Sequence, residues 1–132
     1  MTIDFEFRRV RPADFAYCWS IYSDAMGSAE RETIERALGE EGASILVVDK
    51  SDAGWLHVTE TRFEIHLGHL YLEADRRGQG LGSRLLQWMI DRARRKAKNF
   101  TVDIAANNRA RALYERLGFV PAGKIRMQHR AS

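Results

Sequence analysis

Apolar and polar residues alternate from Phe5 to Val10, which predicts a first strand, and Pro12 follows where the chain turns into a helix carrying Phe15, Trp19 and Tyr22. Glu30 to Leu38 repeats its apolar positions at helical spacing, with Ile34, Ala37 and Leu38 on one side and Gly39 and Gly42 at its end. The apolar run Ser44 to Val48 predicts a strand, the turn formers of Asp49 to Gly54 a hairpin bend, and Trp55 to Thr59 the returning strand. Phe63 to Leu72 is a longer strand-like stretch, and the glycine-studded RRGQGLG leads from it into a helix over Ser83 to Lys98. That helix carries Leu85, Leu86, Met89, Ala93 and Ala97 along one stripe, which implies packing on a sheet.

Phe100 to Ala105 returns as a strand, and a strand, crossover helix and strand of this length predict parallel pairing with the right-handed connection. Asn107 or Asn108 caps a last helix in which Ala110, Leu113, Tyr114 and Leu117 recur, and Gly118 supplies its left-handed end. Phe119 to Ala122 and Ile125 to His129 read as closing strands. With no repeat, linker or low-complexity segment, the pattern predicts one domain over residues 1–132. Its architecture is α+β, a mixed sheet flanked by helices on both faces.

Composition narrows the class. A chain of 132 residues, 45% hydrophobic and 30% charged, suits one soluble globular domain. The single Cys18 excludes an internal disulfide and a thiolate zinc site, reads as core, and favours a reducing, cytoplasmic setting. Residues 1–10 lack the pattern of a secretory signal, and no apolar run approaches the roughly 18 residues of a membrane span, so no membrane partner is expected. The net charge of +3 gathers partly in Arg92, Arg94, Arg95, Lys96 and Lys98, at the end of a predicted helix, where cations complement the macrodipole. That cluster has no aromatic interleaving or groove-reading motif, so a nucleic-acid partner is not expected.

The chemistry begins at Arg77-Gly78-Gln79-Gly80-Leu81-Gly82, where glycines alternate with larger residues as a strand becomes a helix. Glycines let a ligand approach the backbone, and the amides of the following helix N-terminus face it with the positive end of the dipole. The segment suits an anion with several oxygens, such as a diphosphate, to which Arg76 or Arg77 would add hydrogen bonds. A P-loop would place Lys and then Ser or Thr after the last glycine, whereas Ser83 and Arg84 stand there; a dinucleotide fold would place the loop after the first strand.

The segment LYLEADRRGQGLGSRLLQWMI followed by NNRARALYERLGF resembles the GNAT superfamily of N-acetyltransferases, across about half the chain and in the family's order. Arg77, Gly80 and Gly82 match its Gln/Arg-x-x-Gly-x-Gly/Ala motif; Asn107, Ala110, Tyr114, Gly118 and Phe119 match its Asn-x-x-Ala-x-x-x-Tyr helix ending in Gly-Phe. The resemblance implies a central sheet of six to seven strands and acetyl-CoA as the cofactor. It implies that the backbone of Leu70, Tyr71 and Leu72 pairs with the pantetheine arm. The amides of Arg77, Gly78, Gln79, Gly80, Leu81, Gly82 and Ser83 would hold the pyrophosphate, and the Asn107 side chain the pantetheine or nearby backbone.

It further implies direct attack of a primary amine on the thioester through a tetrahedral intermediate, whose oxygen a backbone amide of the Leu70 to Leu72 strand would stabilise. Tyr114 is then the acid for the departing thiolate, a role that suits a phenol, whose ordinary pKa is about 10. His66 falls where some members place a catalytic glutamate, and alternation sets Glu64 on the same face; both are candidate bases, ahead of His69, Glu60 and Glu73. The acceptor would be a small-molecule or peptide amine selected around Trp19 to Glu32, and Trp19, Tyr22, Trp55 and Tyr71 would either line its pocket or form core. Homodimerisation is common in the family and compatible with the late strands. The alternative is a non-catalytic acyl-CoA-binding sensor or assembly module.

Overall fold

The structure is a computed structural model that describes residues 5–26, 31–103, 111–121 and 126–129. Its elements are β1 (Phe5–Arg9), α1 (Phe15–Met26), α2 (Arg31–Leu38), β2 (Ala43–Val48), β3 (Ser51–Glu60), β4 (Glu64–Leu72), α3 (Leu81–Arg95), β5 (Asn99–Asp103), α4 (Arg111–Arg116), β6 (Val120–Pro121) and β7 (Arg126–His129). They form an α+β fold whose seven-stranded sheet runs β1-β2-β3-β4-β5-β7-β6. The chain divides into two compact units, residues 1–57 with 69–79 and residues 58–68 with 80–132; β3 and β4 run on from one into the other.

In the first unit, β2 pairs antiparallel with β1 and β3. Asp49 and Lys50 alone make the hairpin bend, with φ of 48° and 70°, the geometry of a two-residue turn that follows strand twist. Ser51 to Gly54 therefore belong to β3 and not to the turn that their composition predicts. Leu46 pairs with Gly54 and Val47 with Asp52, so Ala53 is an extra residue, a β-bulge. Gly54 serves tertiary packing: a Cβ there would collide with the carbonyl oxygen of Tyr71 on β4.

Helices α1 and α2 bury Cys18, Ile21 and Tyr22, and Ile34, Ala37 and Leu38, each set spaced i, i+3, i+4. Trp55, fully buried, donates its indole N–H to the Cys18 carbonyl at 3.1 Å, so the sheet's largest side chain is also hydrogen-bonded. Burial pushes the Cys18 thiol up to about 12. Arg8 forks onto Asp14 and Asp52, joining β1 to the 3₁₀ turn Pro12–Asp14 and to β3.

In the second unit, β4 and β5 pair in parallel from Glu64↔Asn99 to Leu67↔Val102, as the crossover predicts. Helix α3 buries Leu85, Leu86, Met89, Ile90 and Ala93 and packs on β5. Ala97, expected on that stripe, is exposed: its φ of 56° ends the helix. Lys98 N–H bonds to the Ala93 carbonyl at 2.9 Å and Ala97 N–H to that of Arg94 at 3.0 Å, a Schellman cap in which alanine takes the left-handed place usual for glycine. Part of the basic cluster is neutralised, because Lys96 and Lys98 both bind Glu60 at the end of β3. No described helix is long and apolar enough to cross a membrane.

Candidate active site

A 3₁₀ turn, Ala74–Arg76, follows β4, and the chain then passes through the glycines into α3. Gly78 and Gly80 have φ of 73° and 79°, in the left-handed region where L side chains are strained. A Cβ built on either meets nothing within 4 Å. Gly80 is the N-cap of α3 and offers no side chain to it; the first turn carries no acidic residue, and Arg84 N–H to the Gly80 carbonyl, 3.1 Å, starts the helical ladder. The N–H groups of Leu81, Gly82 and Ser83 thus lie ahead of that ladder, at the positive end of the dipole. Left-handed glycines, open space and uncapped donors fit a diphosphate.

Arg77 is turned elsewhere. Its Nε donates to the Leu72 carbonyl at 3.0 Å and its Nη1 lies 3.2 Å from Asp24 of α1, so its guanidinium fastens the end of β4. Leu70, Tyr71 and Leu72 are half-buried there. The Tyr71 ring packs on Trp55 and edge-on against Tyr22, and its hydroxyl lies 3.0 Å from His69 Nδ1. Trp55 and Tyr22 are buried core; Trp19 is half-buried under the Arg31 guanidinium. Glu73 accepts the Tyr17 hydroxyl at 2.6 Å, and burial first, then that carboxylate, pushes the Tyr17 phenol well above its ordinary value.

Tyr114 sits in α4 just ahead of a second Schellman cap. Phe119 N–H bonds to the Tyr114 carbonyl at 3.0 Å and Gly118 N–H to the Glu115 carbonyl at 3.1 Å, with Gly118 at φ 99°. The Phe119 ring meets that of Tyr114 edge-on at 5.4 Å. The sequence Tyr-Glu-Arg-Leu-Gly-Phe thereby fixes the phenol ring, 9% exposed, by local geometry. Burial pushes the phenol above its ordinary value, so it keeps its proton throughout the neutral range. Asn107, Asn108 and Ala110 lie outside the described residues.

Both ring nitrogens of His66 are engaged: Nδ1 lies 2.6 Å from Thr101 Oγ1 and Nε2 3.0 Å from Asp103 Oδ2. Glu64 shares the face, half-buried. Glu60, a weaker candidate base, is held by Lys98 and Lys96, which lower its carboxyl below the usual range. Sequence reasoning passed over Thr101 and Asp103. The signal was there, since β5 alternates polar and apolar residues where a strand joined by a crossover usually reads apolar throughout.

The sequence model of the family described as acetyltransferase (GNAT) domain matches residues 23–130. The chain belongs to the GNAT acetyltransferases. An L-methionine sulfoximine/L-methionine sulfone acetyltransferase of Pseudomonas paraeruginosa is 34% identical over 139 residues, covering 86% of this chain and 78% of that protein. The ribosomal-protein-S18-alanine N-acetyltransferase of Escherichia coli shares the fold at TM-score 0.75 and 21% identity, over 99% and 95% of the two chains. An aminoglycoside 6'-N-acetyltransferase complexed with coenzyme A does so at TM-score 0.67 and 15% identity, over 100% and 98%. This GNAT domain is an acetyl-CoA-dependent N-acetyltransferase, and acetyl-CoA is its cofactor.

Proposed function

We propose that this GNAT domain transfers the acetyl group to the primary amine of a small amino-acid-like acceptor. The amine attacks the thioester directly, through a tetrahedral intermediate. The observation that carries the cofactor half is Gly80, a left-handed N-cap with open space at its Cβ position and no acid in the following turn. Residues 78–83 hold the pyrophosphate by their main-chain N–H groups, that of Arg77 being donated to the Ala74 carbonyl; the strand Leu70–Leu72 takes the pantetheine arm, and Asn107 is the side chain that the family motif assigns to it. Acetyl-CoA supplies an activated acyl carbon and a leaving thiolate. Tyr114 donates to that thiolate; because burial raises its phenol, it acts as a hydrogen-bond donor that gives up its proton only as charge gathers on sulfur.

The acceptor class rests on the relative that is 34% identical, named for acetylation of two methionine derivatives. The test is thiol release with acetyl-CoA and a panel of methionine sulfone, methionine sulfoximine, other amino acids, polyamines and peptide N-termini. Turnover on amino acids with polar side chains supports the reading. Turnover confined to peptides would reject the acceptor class, and tight cofactor binding without turnover on any amine would make this a binding module.

A further inference from the structure

Within the second unit, β4 and β5 present a polar row on one face. Glu64 and His66 alternate with buried Ile65 and Leu67, and Asn99, Thr101 and Asp103 with buried Phe100 and Val102. The parallel register sets Glu64 beside Asn99 and His66 beside Thr101; β7 sets Gln128 opposite Thr101 and Arg126 opposite Asp103.

We propose that Asp103 takes the proton released by the acceptor amine and that His66 is its positioning residue. The proposal rests on the acetyl-transfer reading above. Lone pairs decide between the two groups. A carboxylate only accepts, so His66 Nε2, 3.0 Å from Asp103 Oδ2, carries a hydrogen and donates it. In the neutral ring Nδ1 is then the single acceptor and the Thr101 hydroxyl, 2.6 Å away, donates to it; in the charged ring no lone pair is left at all. Thr101 is 1% exposed, so no amine reaches that lone pair past it. The expectation that His66 is itself the base gives way for this reason. The Asp103 side chain is 33% exposed, and a carboxylate has about four acceptor positions.

In the step, the amine nitrogen bonds to the acetyl carbon and the carbon–sulfur bond breaks, its electron pair leaving on sulfur. The nitrogen becomes strongly acidic as it bonds to the acyl carbon, and its proton passes to Asp103. Tyr114 gives a proton to the thiolate, and both side chains re-equilibrate with water. Among the described residues, Glu64 on β4 and Arg126 on β7 are the charged positions on the adjoining strands.

The full chain is tested by coenzyme A release across pH, with acetyl-CoA affinity measured by calorimetry. Asp103→Asn lowers kcat on the order of 10²-fold or more, leaves acetyl-CoA affinity unchanged and removes the acidic limb of kcat, which is free of the unbound amine's own protonation. His66→Gln, which retains an N–H donor, keeps that limb with a smaller loss. Asp103→Glu retains the limb at reduced kcat and guards against misfolding of the asparagine variant. Wild-type turnover and pH profile in folded Asp103→Asn, or loss of the limb in His66→Gln while Asp103→Asn keeps it, would overturn the assignment. A wild-type protein that releases no coenzyme A with any amine sinks both readings, whereas an active one with an indifferent Asp103 sinks this one alone.

Discussion

Gly80→Asp separates the cost of a bent backbone from the cost of meeting a phosphate. In the free protein the substitution meets no neighbour, because nothing lies within 4 Å of the added Cβ. Its φ of 79° still imposes a left-handed residue, worth roughly 1–2 kcal/mol and less for Asp than for most. For a domain of this size that is a fall in Tm of about 4–7 °C, which leaves the fold intact. With the diphosphate bound, a carboxylate about 4 Å from a phosphate charge adds repulsion of roughly 1 kcal/mol at the dielectric of water and roughly 4 kcal/mol at an effective value of 20. The added loss of coenzyme A affinity is therefore between about 5-fold and 10³-fold.

Gly80→Ala carries the same Cβ and at least as much strain without the charge. Titration calorimetry of both variants with coenzyme A, at 0.1 M and 1 M salt, resolves the components. The screening length falls from about 10 Å to about 3 Å over that range, so the ratio of the two dissociation constants shrinks as salt rises. A folded Gly80→Asp that binds like wild type would refute the pyrophosphate assignment. Equal weakening of both variants at every salt concentration would show that the site near Gly80 is not reading charge.

Tyr114→Phe should lower kcat about 10²-fold with acetyl-CoA affinity unchanged, and undiminished turnover would reject its role as acid. Gly54→Ala should destabilise by roughly 1–3 kcal/mol in urea, because the new methyl meets the Tyr71 carbonyl of the neighbouring strand; a neutral result would mean that β3 and β4 part there at no cost. Ala97→Gly should stabilise by about 1 kcal/mol, as it relieves a left-handed alanine at an exposed helix end, and an unchanged urea midpoint would count against the cap. Arg8 holds the Asp14 carboxyl below the usual carboxylate range. A carboxyl lowered in the folded state stabilises fully above its unfolded value, about 3.9, and loses that contribution as pH falls through the folded value. Urea midpoints from pH 6 to pH 2 should therefore fall less steeply in Asp14→Asn, and parallel curves would exclude the Arg8 pair as a source of acid lability.

Local signals carried most of the fold. Helical spacing placed the buried faces of α2 and α3, whereas α1, read from Phe15, Trp19 and Tyr22, buries Cys18, Ile21 and Tyr22; glycine marked the end of α4 because the chain there needs a positive φ. Sequence reasoning failed where a local residue type served a distant partner. Gly54 reads as a turn former, yet it is a strand residue whose missing Cβ admits the Tyr71 carbonyl. Ala97 fits the apolar stripe of α3, yet it closes the helix in a place where composition gives no warning. The site divides along the same line. The left-handed glycines ahead of α3 were legible because the signal is main-chain and contiguous, and the burial of Tyr114 because it shares a helical stripe with Leu113 and Leu117.

The proton acceptor was not legible in that way, since the state of His66 depends on Thr101 and Asp103, 35 and 37 residues further along the chain. An imidazole has one lone pair to offer, and only the β4–β5 register reveals that a hydroxyl from the adjoining strand already occupies it. Placing a histidine at the position of a family glutamate therefore does not transfer the glutamate's task. Asp103 supplies the carboxylate from the next strand, two residues beyond the position paired with His66, and the imidazole sets its orientation.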